Sequence, residues 1–534
     1  MSGDTDASRT QLSKPSDLIR LAIYNDNVKL LSWLLDFGNE YTKRGKAADL
    51  LEDSKFKMFS VQHATFLYAV QAGHPRILAE LIKRTGAGVP INKFAKSSGV
   101  ELQEKPRYYQ GLSVHGQKRK DWAARGRGIS GYESTESSHP PLLEAAQYGS
   151  LGSVEWFLSD SPLRCYRQFA QDHPEDKRLQ KLSKANGGFE ASVKKFLSAR
   201  SHLALHCCIM GKQTAESLDV LRYLLEVSPD DLEAKSTEGH TPLLLAFGLY
   251  RHDVAKILIE AGADQTVRDK LGRNLVHRVV ESMQVSEDKH VQQARAMIDL
   301  IDKRLLPSMF TERCSAHSGS QTPFALWQVA IYLYQGWSVE IMDMLLSYSK
   351  GIELDLINGQ GDTPLHHAVR TDARDIVESL LAKRPELVNR ENATGRTPFE
   401  MAEDANLAAK TSGPPSSNDS PGFRLQPGGS NHYASITAVS PASFVHKQDT
   451  DAEWSTTKMW KLVCDAKARL AARGEDKRRL VTLNEANEVA RRLAATRSAR
   501  VPDDGVTEKE DEEDEVVADE VQHWLGSARR DRGD

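Results

Sequence analysis

The sequence predicts an all-α protein, a solenoid of stacked helix pairs with loop insertions, followed by a C-terminal helical segment and a disordered acidic tail. A Gly-x-Thr-Pro motif followed by an apolar residue occurs at Gly239, Gly361 and Gly395. The last two copies lie 34 residues apart, and a degenerate copy at Gly272 follows the first after 33 residues. A repeat of this length is one helix pair that cannot bury its apolar side alone, so successive pairs must stack.

The Thr-Pro pair marks the start of the first helix in each copy. Thr241 can cap the helix N-terminus with its side-chain oxygen, and the proline after it stands where a missing N–H costs no hydrogen bond. Leu243 and Ala246 share a helix face because they lie three residues apart. A second helix is predicted over 254–261 from its apolar spacing, and Gly262 is placed to end it.

The segments that begin at Gly239, Gly361 and Gly395 resemble the Gly-x-Thr-Pro-Leu-His-x-Ala signature of the ankyrin-repeat family. The resemblance implies about nine units, several degenerate, between residues 17 and 410. It also implies that His366, at the signature histidine position, braces neighbouring loops. Members of the family typically bind other proteins through loop tips and inner helix faces.

Two long intervals between units are predicted as loop insertions, near residues 87–139 and 161–200. The first holds nine Lys and Arg against five Asp and Glu, and the second holds nine against four. Such charge favours solvated, partly disordered loops. The alternative is a basic surface for an acidic partner or nucleic acid. The candidate residues of that surface are Lys118, Arg119, Lys120, Arg125 and Arg127.

The ends of the chain differ in composition from the repeats. Residues 1–16 are polar and predict a disordered N-terminus, while residues 411–455 are rich in Ser, Pro, Gly and Asn and predict a flexible linker. Apolar spacing and a capping box at residues 482–485 predict a helical hairpin over 456–500, which either caps the solenoid or binds a partner. Residues 501–534 form the predicted acidic tail.

The composition argues against several classes of protein. With 70 Lys and Arg against 74 Asp and Glu, the net charge of −4 does not fit a protein that coats nucleic acid. No apolar run reaches the ~18 residues of a transmembrane helix. Five cysteines without framework spacing indicate reduced thiols in a cytoplasmic protein, with a nuclear location as the alternative suggested by the basic run at 118–120. We expect a monomer.

No motif predicts catalysis, a cofactor or a metal. Residues 126–131 have Gly-x-Gly-x-x-Gly spacing, but a charged stretch precedes them where a dinucleotide site needs a buried strand. His206, Cys207 and Cys208 are metal ligands by type, yet a packed helix explains them as well. We therefore expect a non-enzymatic scaffold for protein–protein interaction that uses no cofactor.

The resemblance directs the search for a partner-binding surface to the loop tips. The candidates are Thr237, Glu238, Arg268, Asp269, Lys270, Asn358, Gln360, Arg390, Glu391 and Asn392. Ordinary solvated turns would need similar polar residues, so the tips by themselves do not establish binding. Two alternative functions stay open. One is a regulatory or targeting adaptor with a client site in the C-terminal helices, and the other is binding of nucleic acid or an acidic partner through the basic insertions.

Overall fold

The computed structural model describes residues 15–47, 61–98, 139–185, 187–282, 288–316, 319–334, 339–411, 452–485 and 487. The chain divides into two compact units, Met1–Ala234 and Lys235–Asp534. Helices dominate both units, which confirms the all-α class, and the described residues add one short antiparallel hairpin, β1 Cys314–Ala316 with β2 Gly319–Gln321. No described helix is both long and apolar enough to cross a membrane.

The first unit is a stack of helix pairs. Its described helices are α1 Pro15–Tyr24, α2 Val28–Ala47, α3 His63–Ala72, α4 Pro75–Thr85, α5 Ile91–Ser97, α6 Pro141–Tyr148, α7 Leu151–Leu158, α8 Ser161–Asp172, α9 Lys177–Ser183, α10 Gly188–Ser198, α11 Ala204–Met210 and α12 Ala215–Val227. The inner helices α1, α3, α6 and α11 pack in sequence, and the outer helices α2, α4, α7 and α12 form a parallel layer.

Helical spacing of apolar residues creates the shared core. In α4, Ile77, Leu78, Leu81 and Ile82 are completely buried between the neighbouring outer helices. Gly86 then ends the helix in the left-handed conformation, with φ +65°, which an L-residue rarely adopts.

The interval 161–200 is not a loop insertion, and the prediction of one was wrong. It forms helices α8, α9 and α10, which pack on one another, on α4 and on α5. Cys165, Tyr166 and Phe169 lie on one face of α8 and are buried, and the Tyr166 hydroxyl donates to the carbonyl of Ala87 at 2.6 Å. The apolar spacing outweighs the net positive charge, because long basic side chains can stay in water while their helix packs.

The second unit repeats the two-layer arrangement. Its described helices are α13 Pro242–Gly248, α14 His252–Glu260, α15 Leu275–Glu281, α16 Asp288–Asp299, α17 Leu306–Thr311, α18 Pro323–Tyr334, α19 Val339–Ser349, α20 Pro364–Arg370, α21 Arg374–Lys383, α22 Pro398–Thr411 and α23 Ala452–Ala472. The inner layer is α13, α15, α18, α20 and α22, and the outer layer is α14, α16, α19, α21 and α23. Short 3-10 turns at Ile352–Asp355 and Pro385–Asn389 lead into two of the loops.

Helix α23 occupies the position of an outer helix in the last pair. It packs on α22, its inner partner, and on α21, the preceding outer helix. Met459, Val463, Ala466 and Leu470 form its buried face, as their spacing predicts. The helix begins four residues inside the predicted linker and ends before Gly474, whose φ is +68°.

Several predicted segments lie outside the described residues. They are the N-terminus up to residue 14, the basic patch candidates Lys118, Arg119, Lys120, Arg125 and Arg127, residues 412–451 of the linker, and the acidic tail. Of the predicted second helix of the hairpin, only the start is described. There Thr482 and Glu485 exchange capping-box hydrogen bonds of 2.9 and 3.2 Å.

Replacement of Gly211 tests the close packing of α11 on α6. A methyl group at Gly211 would lie 1.9 Å from the carbonyl oxygen of Gln147, so the backbone must move. We expect Gly211→Ala to lower the free energy of unfolding of the first unit by more than about 2 kcal/mol, measured by native-state hydrogen exchange. Lys212→Ala, at the exposed next residue, is the control and should stay within about 0.5 kcal/mol.

Replacement of Val463 tests whether α23 holds the last repeat. Val463→Asp places a charge at a completely buried position, so α23 should detach and amide exchange in α22 should rise at least ~10-fold. Lys461→Asp changes an exposed residue of the same helix and should leave the exchange as it is. Equal exchange in the two variants would show that α22 does not depend on α23.

Candidate functional site

Three of the predicted tip residues, Asp269, Asn358 and Asn392, close their own loops. In each, one side-chain oxygen accepts hydrogen bonds of 2.9–3.0 Å from the backbone N–H groups two and four residues later. All three residues are at least nine-tenths buried. Their position in the motif is therefore explained by the turn that precedes each inner helix.

Two buried histidines tie neighbouring loops together. Nε2 of His366 lies 2.9 Å from the carbonyl oxygen of Arg396, and Nε2 of His277 lies 3.2 Å from that of Gln321. Since a carbonyl only accepts, Nε2 carries the proton, and Nδ1 of His366 accepts from the Thr363 hydroxyl at 2.7 Å. Burial lowers the pKa of both histidines to about 4, so the rings are neutral at pH 7. The bracing role implied for His366 is confirmed.

Ion pairs engage a further candidate, Arg268, and also Asp269. Arg268 pairs with Glu312 at 2.5 Å. Asp269 lies 2.6 Å from Arg273 and 3.4 Å from His240. Burial by itself raises the pKa of Asp269, but the hydrogen bonds from His240 and Arg273 outweigh it and hold that pKa well below its usual range. Both candidates thus stabilise the loops that carry them.

The candidates that remain at the surface are Thr237, Glu238, Lys270 and Gln360. Lys270 and Gln360 are exposed, while Thr237 and Glu238 are half-buried. Leu271 adds an apolar side chain that is 39% exposed. The backbone N–H of Lys270 donates to the carbonyl of Glu238 at 3.1 Å, which fixes two successive tips side by side. We call Glu238, Lys270, Leu271 and Gln360 the free tip surface.

The chain covers the remaining candidates, Arg390 and Glu391, with its own residues 477–481, here called the arginine segment. Arg390 donates to the carbonyl of Leu480 and to Glu485, both at 2.8 Å. Glu391 accepts from Arg478 at 2.5 Å. Consequently Arg390 and Glu391 are only 6% and 7% exposed.

Main-chain hydrogen bonds seat the arginine segment beside the loop. The N–H of Arg479 donates to the carbonyl of Asn389 at 2.8 Å, and the N–H of Glu391 donates to the carbonyl of Arg479 at 2.9 Å. The two segments run parallel there. Nearby, the rings of Phe399 and Trp460 lie 4.9 Å apart, which joins α22 to α23.

The cysteines near His206 are packing residues of α11. Cys207 and Cys208 are buried, and burial raises the pKa of each thiol to about 12. Among the described residues, no three His, Cys, Asp or Glu side chains lie close enough together to hold a metal ion.

Comparison with known proteins identifies the repeats. The family model described as ankyrin repeats (many copies) matches residues 345–402. This part of the chain consists of ankyrin repeats. Protein glp-1 of Caenorhabditis elegans is 27% identical over 180 residues, which are 32% of this chain and 12% of glp-1, so only a small part of that relative is matched. The ankyrin repeat domain of Bcl-3, titled a unique member of the IkappaB protein family, is 14% identical, with a TM-score of 0.26; the match covers 61% of this chain and 97% of that domain.

Ankyrin repeats are generally protein-interaction modules, and the family is typically non-enzymatic. The match at 345–402 includes the loops of Asn358 and Asn392 and the bracing His366. Sequence reasoning missed the contact between the ankyrin loops and Arg478 and Arg479, because nothing local marks two arginines as partners of carboxylates that lie 78 to 124 residues away.

The pH dependence of ankyrin-repeat stability should reflect His366. Its pKa is about 4 when folded and 6.5 when free, so the unfolded chain takes up the proton first and stability falls as the pH drops from 6.5 towards 4. Between about pH 7.5 and pH 5 this histidine should account for a loss of about 2 kcal/mol.

Hydrogen exchange of α20 in wild type and His366→Gln at both pH values measures this contribution. The variant should lose less stability on acidification, and the exposed His252→Gln control should behave as wild type. An identical loss in wild type and His366→Gln would show that His366 is not the group that takes up the proton.

Proposed function

We propose that the protein is a non-catalytic intracellular scaffold that binds a partner protein through the free tip surface and the adjoining inner helices. The observation that carries the proposal is that, within each tip, buried residues fix the loop and other residues are exposed. Buried Asp269 and Asn358 fix the loop backbone, while Lys270, Leu271 and Gln360 are exposed to solvent, Gln360 with a hydrogen bond from Arg370 at 3.0 Å. A rigid loop loses little conformational entropy on binding, which favours recognition by the side chains at its tip.

An exposed leucine beside two charged tip residues suits a protein partner. Leu271 stands beside Lys270 and near Glu238, so the surface offers an apolar contact with charges of both signs around it. Protein interfaces commonly combine an apolar centre with a polar rim. The charged neighbours do not favour nucleic acid, because Glu238 offsets Lys270.

The adaptor alternative draws less support from the described residues. The apolar face of α23, which a client would need, is buried within the last repeat at Val463 and Ala466. The arginine segment that follows is seated on the loop of residues 389–391. A client site in the C-terminal part of the chain would therefore have to displace contacts that already exist.

A combined substitution of the free tip surface tests the proposal. Glu238→Ala, Lys270→Ala, Leu271→Ala and Gln360→Ala together should reduce capture of the partner at least ~100-fold, since several contacts of about 1 kcal/mol each are lost. Quantitative affinity capture from the native cell measures it, with circular dichroism to show that the fold is intact.

The matched control changes four exposed residues of the outer helices, Asp253, Lys256, Glu260 and Glu378, to alanine. This control should capture the same proteins as wild type. If the tip variant also captures them in wild-type amounts, the binding surface lies elsewhere and the proposal fails.

A further inference from the structure

The loop tip of the last repeat is built like a binding site for an extended peptide. Arg479 pairs with Asn389 and Glu391 through two main-chain hydrogen bonds, in the manner of an added strand. Such pairing depends on the peptide backbone and so accepts many sequences, while side-chain contacts select among them.

Three carboxylates on the repeat side give that selection. Arg478 reaches Glu391 through Nε at 2.5 Å and Glu400 through Nη1 at 2.6 Å, and its Nη2 donates to the carbonyl of Gly395 at 2.8 Å. Arg479 reaches Asp355 at 2.8 Å. The planar guanidinium with its fork of donors fits this set, and a lysine ammonium could not span Glu391 and Glu400 in the same way.

The arginine segment is held less firmly than the helix before it. The side chains of Arg478 and Arg479 stay 46% and 39% exposed, so water and competing groups reach them. Helix α23 is anchored by buried apolar residues, and Gly474 separates the two parts in the left-handed conformation. The segment can therefore leave the loop while α23 remains packed.

We propose that Asp355, Asn389, Glu391 and Glu400 form a site for an extended segment with two successive arginines from a different protein, and that the arginine segment fills this site in cis when that partner is absent. The site shares no residue with the free tip surface: its main-chain contacts are made by residues 389–391, and Asp355 precedes the loop that carries Gln360. Failure of either proposal therefore leaves the other standing.

Binding of a labelled peptide of residues 474–485 to the full-length chain tests the site. In Arg478→Ala, Arg479→Ala the cis segment no longer competes, and the peptide should bind with a Kd of about 10–100 μM. Wild type should bind it at least ~10-fold more weakly, because the tethered segment has an effective concentration near the millimolar range. Fluorescence anisotropy gives both values, and circular dichroism verifies the fold.

Two matched controls locate the binding. Adding Glu391→Gln and Glu400→Gln to the double-alanine chain should abolish peptide binding. A peptide with both arginines replaced by alanine should not bind the double-alanine chain that keeps both glutamates. Absence of peptide binding to the double-alanine chain, or binding that survives loss of both glutamates, would overturn the proposal.

Light scattering on the wild-type chain distinguishes the source of the arginines. A monomer at the concentrations used supports a foreign partner. If wild type is a dimer and the variant with Arg478→Ala and Arg479→Ala is a monomer, the arginines come from a second copy of this chain. That result would overturn the proposal that they come from a different protein.

Discussion

Each repeat depends on its neighbours because a pair of short helices cannot bury its apolar side alone. This constraint explains why the layers are continuous within each unit and why the last pair needs a second helix. The chain supplies that helix from residues 452–472, after an interval of 40 residues. Val463 and Ala466 of α23 meet the same requirement that Val377 and Leu380 meet in the outer helix before it.

Stacking also dictates the chemistry of the loops. Once helices of adjacent repeats pack closely, the loops between them lose water, and their polar groups need partners within the protein. Asp269, Asn358 and Asn392 satisfy the backbone within a loop, and the neutral His366 links one loop to the next. The side chains left for binding are those that these hydrogen bonds do not use, such as that of Lys270.

Local patterns in the sequence predicted the local features of the structure. The Gly-x-Thr-Pro segments gave the starts of α13, α20 and α22, and the spacing of Met459, Val463 and Leu470 gave the buried face of α23. The helices α8–α10 were missed because net charge was given more weight than the apolar spacing at Cys165, Tyr166 and Phe169. The burial of Arg390 and Glu391 follows from a contact between segments about 90 residues apart, which no local pattern encodes.

The two attachments of the C-terminal part differ in physical character. Helix α23 is held by apolar burial, which salt does not screen, whereas the arginine segment relies on partly exposed ion pairs that contribute little individually and are screened by salt. Burial raises the pKa of Glu391, but the hydrogen bond from Arg478 outweighs it and the net pKa is lowered, so the carboxylate stays charged near neutral pH. Loss of the segment would leave Glu391 and Glu400 without their shared guanidinium. The loop that has released one arginine therefore favours binding of another arginine side chain.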